Sequence, residues 1–348
     1  MKLSEHIGLL CLLAYTSFCK LESASLDGTA GVSIYEAASY GFANGDFARG
    51  FVRLNGGFTV PAASTVSLNL LTPVAGTIGL NTSGQITLEG DLSLASNATL
   101  ITGGKIDGQG YTVFLNGDFT IPAGQSLECA SNTVIDGMGH TLTLAPGNPG
   151  GQIFINGISG TTVTLRNMTL IGLDDYTGGN RSIKFSTVAN QKLVLEDVSV
   201  FLGGNYTFVG GKLDIKGFVS LHGWNTFEYQ ANQACTILQN STFFIDMHTT
   251  FKYNTSDNSN IHIVMIDRTS RLFLNGCTLD VSRPASLFLT KGHLIVDHDT
   301  EFFGNGSSQE SESISFGNGL ASQDLNVDIM PGANIDLNES FLTYNNQN

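Results

Sequence analysis

Charge is scarce in this sequence. Asp, Glu, Lys and Arg make up 13% of its 348 residues, about half the usual share, so surface polarity must come from Asn, Ser, Thr and Gln. Basic residues are the scarcest, with sixteen Lys and Arg against thirty Asp and Glu for a net charge of −14. They form no run, so the concentrated positive footprint that nucleic acid or an anionic membrane demands is missing. Acidity of this kind serves solubility. Proline occurs seven times against 41 glycines, which assigns the glycines to turns and not to a proline-rich linker. Five cysteines are present, and three of them, Cys129, Cys235 and Cys277, lie beyond residue 25. An odd number at irregular spacing excludes a disulfide framework and suits small apolar side chains in a packed interior.

Long apolar runs are also few. Ile7 to Ala14 is one, preceded by Lys2 and followed by the small residues Ser23, Ala24 and Ser25. That is the layout of a secretory signal, and residues 1–25 are read as one. The run is too short to span a bilayer, and no other stretch qualifies, so no membrane span is expected once the signal is removed. The expected location is outside the cell or on its surface. Residues 26–50 form a leading segment in which Ser33 and Glu36 have capping-box spacing and Gly41 is a natural stop. A short helix capping the fold, or a segment without regular structure, both fit.

What is present is repetition. Ile106-Asp107-Gly108-Gln109-Gly110-Tyr111-Thr112-Val113 recurs as Ile135-Asp136-Gly137-Met138-Gly139-His140-Thr141-Leu142, 135 − 106 = 29 residues later. Glycine reaches positive φ without steric cost, so two in a fixed frame read as a tight turn. Asp107 and Asp136 sit beside those glycines, where an aspartate bonds its own turn backbone. A second pattern places an apolar residue, a polar one and then Asn, Asp or Gly. It begins at Leu165, Leu195, Ile215, Leu238, Leu274 and Val296. Its third position (Asn167, Asp197, Gly217, Asn240, Gly276) holds residues that visit the left-handed region cheaply, so each marks a corner between two strands. Its second position (Arg166, Glu196, Lys216, Gln239, Asn275) accepts either charge sign and must face water. A turn-and-strand unit repeating every 20–50 residues is the signature of a solenoid. Residues 51–340 are read as that solenoid and 341–348 as a tail.

These motifs and corners resemble the right-handed parallel β-helix of the pectin-lyase-like superfamily. The resemblance implies an all-β solenoid over about residues 50–340, with a short N-terminal helix as an optional cap. It does not select an activity, because the scaffold carries polysaccharide lyases, glycoside hydrolases, tailspikes and adhesins alike. The hydrolases share an Asn-x-Asp, an Asp-Asp, a Gly-His-Gly and an Arg-x-Lys in that order, since two carboxylates must flank the sugar bond. Here Asp174-Asp175 is such a pair, and Arg181 and Lys184 follow with one residue too many between them. The Asn-x-Asp and Gly-His-Gly are missing, and Leu221-His222-Gly223 is a partial echo. The lyases use Ca²⁺-bridging aspartates. Asp297 and Asp299 would share one side of an extended run, with His298 on the other.

The expected function is therefore binding or structural: an adhesin-like rod presenting loops to a polysaccharide or a host surface protein, without a cofactor. The alternative is a carbohydrate-active enzyme, a lyase or hydrolase, acting through Asp174, Asp175, Arg181 and Lys184. Trp224, the single tryptophan, either stacks on sugar or fills the core.

Overall fold

The computed structural model describes residues 105–176, 180–255, 263–281, 287–304, 313–317 and 324–344. Of the chain before residue 105 it describes strands only, the first at Gly28–Ile34. Among the described residues every element is a strand and no helix occurs. None therefore offers a helix long and apolar enough to cross a membrane. The residues read as a signal lie outside the described set. Of the segment read as a capping helix, Ser33 and Ile34 belong to the Gly28–Ile34 strand, and the rest is outside the described residues.

The strands stack in parallel into a β-solenoid of about seven turns. One interior column shows it directly. Val113, Ile135, Leu165, Leu195, Ile215, Ile237 and Met265 follow one another in register from turn to turn. All seven are buried. The column includes Leu165 and Leu195 as expected, but Ile237 in place of Leu238. The corner at Asn240 is longer than its counterparts, six positions from Ile237 to Phe243 against three from Leu165 to Met168, so Leu238 is displaced into the turn, where its carbonyl accepts the Ser241 N–H. Pairing runs from Gly28–Ile34 against Gly50–Leu54 to Ser313–Phe316 against Phe341–Tyr344.

Each turn has three faces, and the sequence shows how the first two are joined. Thr162–Leu173, Lys192–Leu202 and Lys212–His222 each run through both faces as one strand. Asn167, Asp197 and Gly217 interrupt them at φ values of 50°, 54° and 64°. A left-handed residue bends the chain and resets the inward–outward alternation, so that Leu165 and Met168 are both buried although three positions apart. Outside the bend, Arg166 binds Asp136 at 2.7 Å and Lys216 binds Glu196 at 2.8 Å. The outward column thus pairs its charges between turns. The copies at Leu274 and Val296 belong to a different corner. Leu274 stacks on Ile245 and Val296 on Leu274, both on the second face, so Gly276 and His298 (φ 63° and 60°) turn the chain from the second face to the third.

In the double-glycine turns the two glycines serve different ends. Gly110 and Gly139 have φ of 86° with open space around a would-be Cβ, and conformation alone demands them. Gly108 and Gly137 have ordinary φ, but a Cβ would lie 2.3 Å from Thr133 Oγ1 and 2.4 Å from Met168 Cβ on the adjacent turn. The residue between, Gln109 or Met138, is itself left-handed at 49° or 52°. Asp136 Oδ1 accepts the Met138 N–H at 2.9 Å, as its place in the turn predicts.

The third face supplies the large interior side chains. Tyr206, Phe227 and Phe251 lie in register, with Leu279 and Phe302 continuing the column. Phe227 and Phe251 are stacked at 5.7 Å and 10°, and Phe208 and Tyr229 at 5.5 Å and 9°. The Tyr206 hydroxyl satisfies itself on the Ile183 carbonyl at 2.9 Å, as a buried phenol must. Cys129, Cys235 and Cys277 are buried free thiols. Burial pushes Cys129 and Cys277 up to about 12 and raises Cys235 further, so all three are inert core side chains.

Candidate functional site

The acidic pair sits on a short excursion at the end of the second face. Asp175 and Tyr176 pair antiparallel with Arg181 and Asn180, and the Asp174 main chain exchanges hydrogen bonds with Ser182 at 2.9 and 3.0 Å. Asp175 Oδ1 is 3.3 Å from Arg181 Nε, while its Oδ2 accepts the Thr207 N–H at 3.0 Å. Asp175 is thus committed to holding the excursion against the next turn. Tyr176 is buried beneath it. Lys184 does not join the group, because its ammonium lies over the Phe154 ring, 4.8 Å from the centroid. Asp174 is half-buried with its carboxylate against Gly204, and burial together with the neighbouring Asp175 raises its carboxyl above the usual range.

Asp297 and Asp299 are separated by a corner. His298 is left-handed, which breaks the extended run that would put both carboxylates on one side. Asp297 Oδ1 accepts the His298 N–H, and Asp299 Oδ1 accepts two hydrogen bonds from Asn334 on the next turn. Among the described residues no three His, Cys, Asp or Glu side chains gather as metal ligands.

The outer surface of the second face carries what the sequence motifs did not point to. Phe201, His222, Phe218, Phe244 and Phe273 project outward from consecutive turns. The Phe201 and His222 rings stack at 4.7 Å and 17°. Phe244 contacts Phe218 at 5.9 Å and Phe273 at 5.1 Å. Phe201 and Phe218 are 41% and 52% exposed. At the edge of this face stands Trp224, 80% exposed, its indole lying on the His248 imidazole at 3.8 Å and 7°. The signal for these residues was present but mute. Thr242-Phe243-Phe244-Ile245 is apolar at both parities of a strand, and periodicity cannot say which phenylalanine faces out.

A line of hydrogen bonds fixes the centre of the face across five turns. Ser199 Oγ is 3.2 Å from Ser220 Oγ, which is 2.8 Å from His222 Nε2. His222 Nδ1 is 2.8 Å from Asp246 Oδ2, Asn275 donates to Asp246 Oδ1 at 2.8 Å, and His298 Nδ1 is 2.8 Å from Asn275 Oδ1. Ser220, His222 and Asp246 have the order of a hydroxyl–imidazole–carboxylate relay. Ser220, however, is 2% exposed, and its strand's backbone is engaged in ladders on both sides. A nucleophile needs access and free N–H donors for the oxyanion, so this relay serves to hold the His222 ring in place.

Burial pushes the Asp246 carboxyl up, but the hydrogen bonds from His222, Asn275 and the Met247 N–H outweigh it and leave it below the ordinary range. A depressed folded value means stabilisation that is present above the unfolded value of 3.8 and lost as pH falls through the folded one. Asp246→Asn is therefore expected to cost about 1 kcal/mol at pH 7 and progressively less as pH falls below 3.8, read from urea midpoints across that range. No family model, curated protein or solved structure matches this chain.

Proposed function

We propose that the chain is a secreted or cell-surface binding rod, adhesin-like and non-catalytic, of the right-handed pectin-lyase-like type. It holds a polysaccharide or a host surface protein against the outside of its second face. One observation carries this reading: aromatic side chains, which elsewhere in the solenoid fill the interior, stand outside it on successive turns of one face. Contiguous exposed apolar surface of this kind marks interaction sites, and rings bring contact area at little entropic cost. The low density of charge fits a partner recognised by shape and hydroxyl groups.

The test is to screen the full-length chain against an array of glycans and host proteins. Retention that falls at least tenfold in the double variant Phe201→Ala/Phe244→Ala, with circular dichroism unchanged, supports the reading. Release of reducing ends or unsaturated products from a polysaccharide, abolished by Asp174→Asn, would replace it with the enzymatic alternative.

A further inference from the structure

We infer that the second face is also where two copies of this chain pair side by side, rods parallel, each covering the other's outer aromatics. This goes beyond the binding function proposed above, since a second copy and an outside partner would compete for one face. Among the described residues from 105 onward there are eleven Lys and Arg. Eight of them are ion-paired within their own chain, and a ninth, Lys184, lies over the Phe154 ring. Only Arg271 and Lys291 have no side-chain partner, and both are exposed on adjacent turns of the second face.

Leu272, Leu274, Leu294 and Val296 are buried, so the residues alternating with them face out. Arg271, Phe273 and Asn275 stand in register with His293, Ile295 and Asp297 on the next turn. One turn earlier Phe244 pairs with Phe273, and Asp246 accepts from Asn275. The face therefore carries three columns: cations along the edge toward the first face, Phe244, Phe273 and Ile295 along the centre, and Asp246, Asn275 and Asp297 along the far edge. A two-fold axis parallel to the rod, set over the centre, lays the apolar column on itself and each edge over the opposite edge at the same level. Arg271 then meets the second copy's Asn275, between its Asp246 and Asp297, and His293 meets its Asp297. A two-fold axis across the rod would instead set like edges together, Arg271 and Lys291 against their own copies.

A second copy is the occupant because it brings the same spacing of about 4.8 Å between turns, so a fit made at one turn holds at the next. Eight strands stack on this face from Phe119–Ile121 to Lys291–Asp297. At about 4.8 Å per turn and four residues of about 3.3 Å each, they cover about 38 by 13 Å. Two copies thus bury about 1,000 Å², the least that a specific interface needs, which fits a reversible micromolar dimer. The contact stops at Asp328, which would face its own copy and is held by His293 at 2.7 Å. The net charge of −14 opposes encounter, but salt screens exposed charges beyond about 8 Å while contacts inside the face are screened less.

Sedimentation equilibrium of the full-length chain, across micromolar concentrations at physiological salt, is expected to show monomer and dimer in exchange. Phe244→Ala is expected to weaken the dimer about tenfold or more, and Arg271→Glu several-fold. The double variant Arg271→Glu/Asp297→Arg is expected to recover most of the second loss, because only parallel rods bring those two edges together. Thermal melting of each variant alone shows that it folds. A chain that stays monomeric throughout overturns the dimer and leaves the binding reading untouched. A dimer insensitive to Phe244→Ala or to Arg271→Glu uses another surface and overturns it equally. A double variant as weak as Arg271→Glu overturns the parallel arrangement.

Discussion

Phe251→Ala is expected to lower stability by about 3–5 kcal/mol, the cost of emptying a well-packed phenylalanine site. Phe251 is fully buried, faces Phe227 at 5.7 Å, and meets the edge of Phe243 at 5.8 Å and 82°. In a globular core part of such a void closes by collapse. Here the turn spacing is set by backbone ladders to Phe227 on one side and Leu279 on the other, so the walls cannot approach. The figure should therefore fall in the upper half of that range. Phe244→Ala on the outside of the same turn removes the same ring where water already reaches it, and is expected to cost about 1 kcal/mol or less. Chemical denaturation followed by circular dichroism measures both. Equal losses in the two variants would contradict the assignment of inside and outside on this turn.

Gly172→Ala carries the second large effect. Gly172 has φ 92°, and a Cβ there would lie 2.2 Å from the Leu144 carbonyl oxygen, main chain of the preceding turn. Left-handed strain on an alanine costs about 1–2 kcal/mol and overpacking against backbone another 1–3 kcal/mol. A loss of about 2–5 kcal/mol follows. Gly139→Ala separates the two causes, since φ is 86° but nothing stands within 4 Å, and it is expected to lose only about 1–2 kcal/mol. Because each turn contacts only its neighbours, the damage is local. Gly172→Ala should split unfolding into two transitions, seen as a calorimetric enthalpy that exceeds the van't Hoff value. A single transition shifted as little as that of Gly139→Ala would show that the turns at 144 and 172 slide apart freely.

Much of the solenoid was readable because its constraints are local. A corner needs a left-handed residue, and Asn167, Asp197, Gly217 and Asn240 supply it where the pattern placed it. Leu165 and Leu195 stack because alternation fixes the inward parity. Which corner a repeat occupied was not readable. A three-faced coil asks for the same residue types at every bend, so Leu274-Asn275-Gly276 copies Leu165-Arg166-Asn167 while sitting one face further on. The candidate site was legible in part. Asp175 and Arg181 do meet, because a short hairpin brings near sequence neighbours together, but Lys184 falls on the next face and turns to Phe154. Asp297 and Asp299 looked like a shared edge only while His298 was taken as extended. The outer aromatics escaped because membership of the face depends on register between turns up to 30 residues apart, which no short window contains.

The parallel ladders have a mechanical consequence. Successive turns bond to each other along the length of the rod, so those backbone bonds lie in the direction of a pull applied at its two ends. Tension then acts on them in series, and the weakest junction opens first while the others keep their shape. Each opening frees one coil, 20 to 30 residues by the spacing of the Val113-to-Met265 column. Such a tether yields in increments under load and keeps its remaining coils, and any surface they carry, intact as it lengthens.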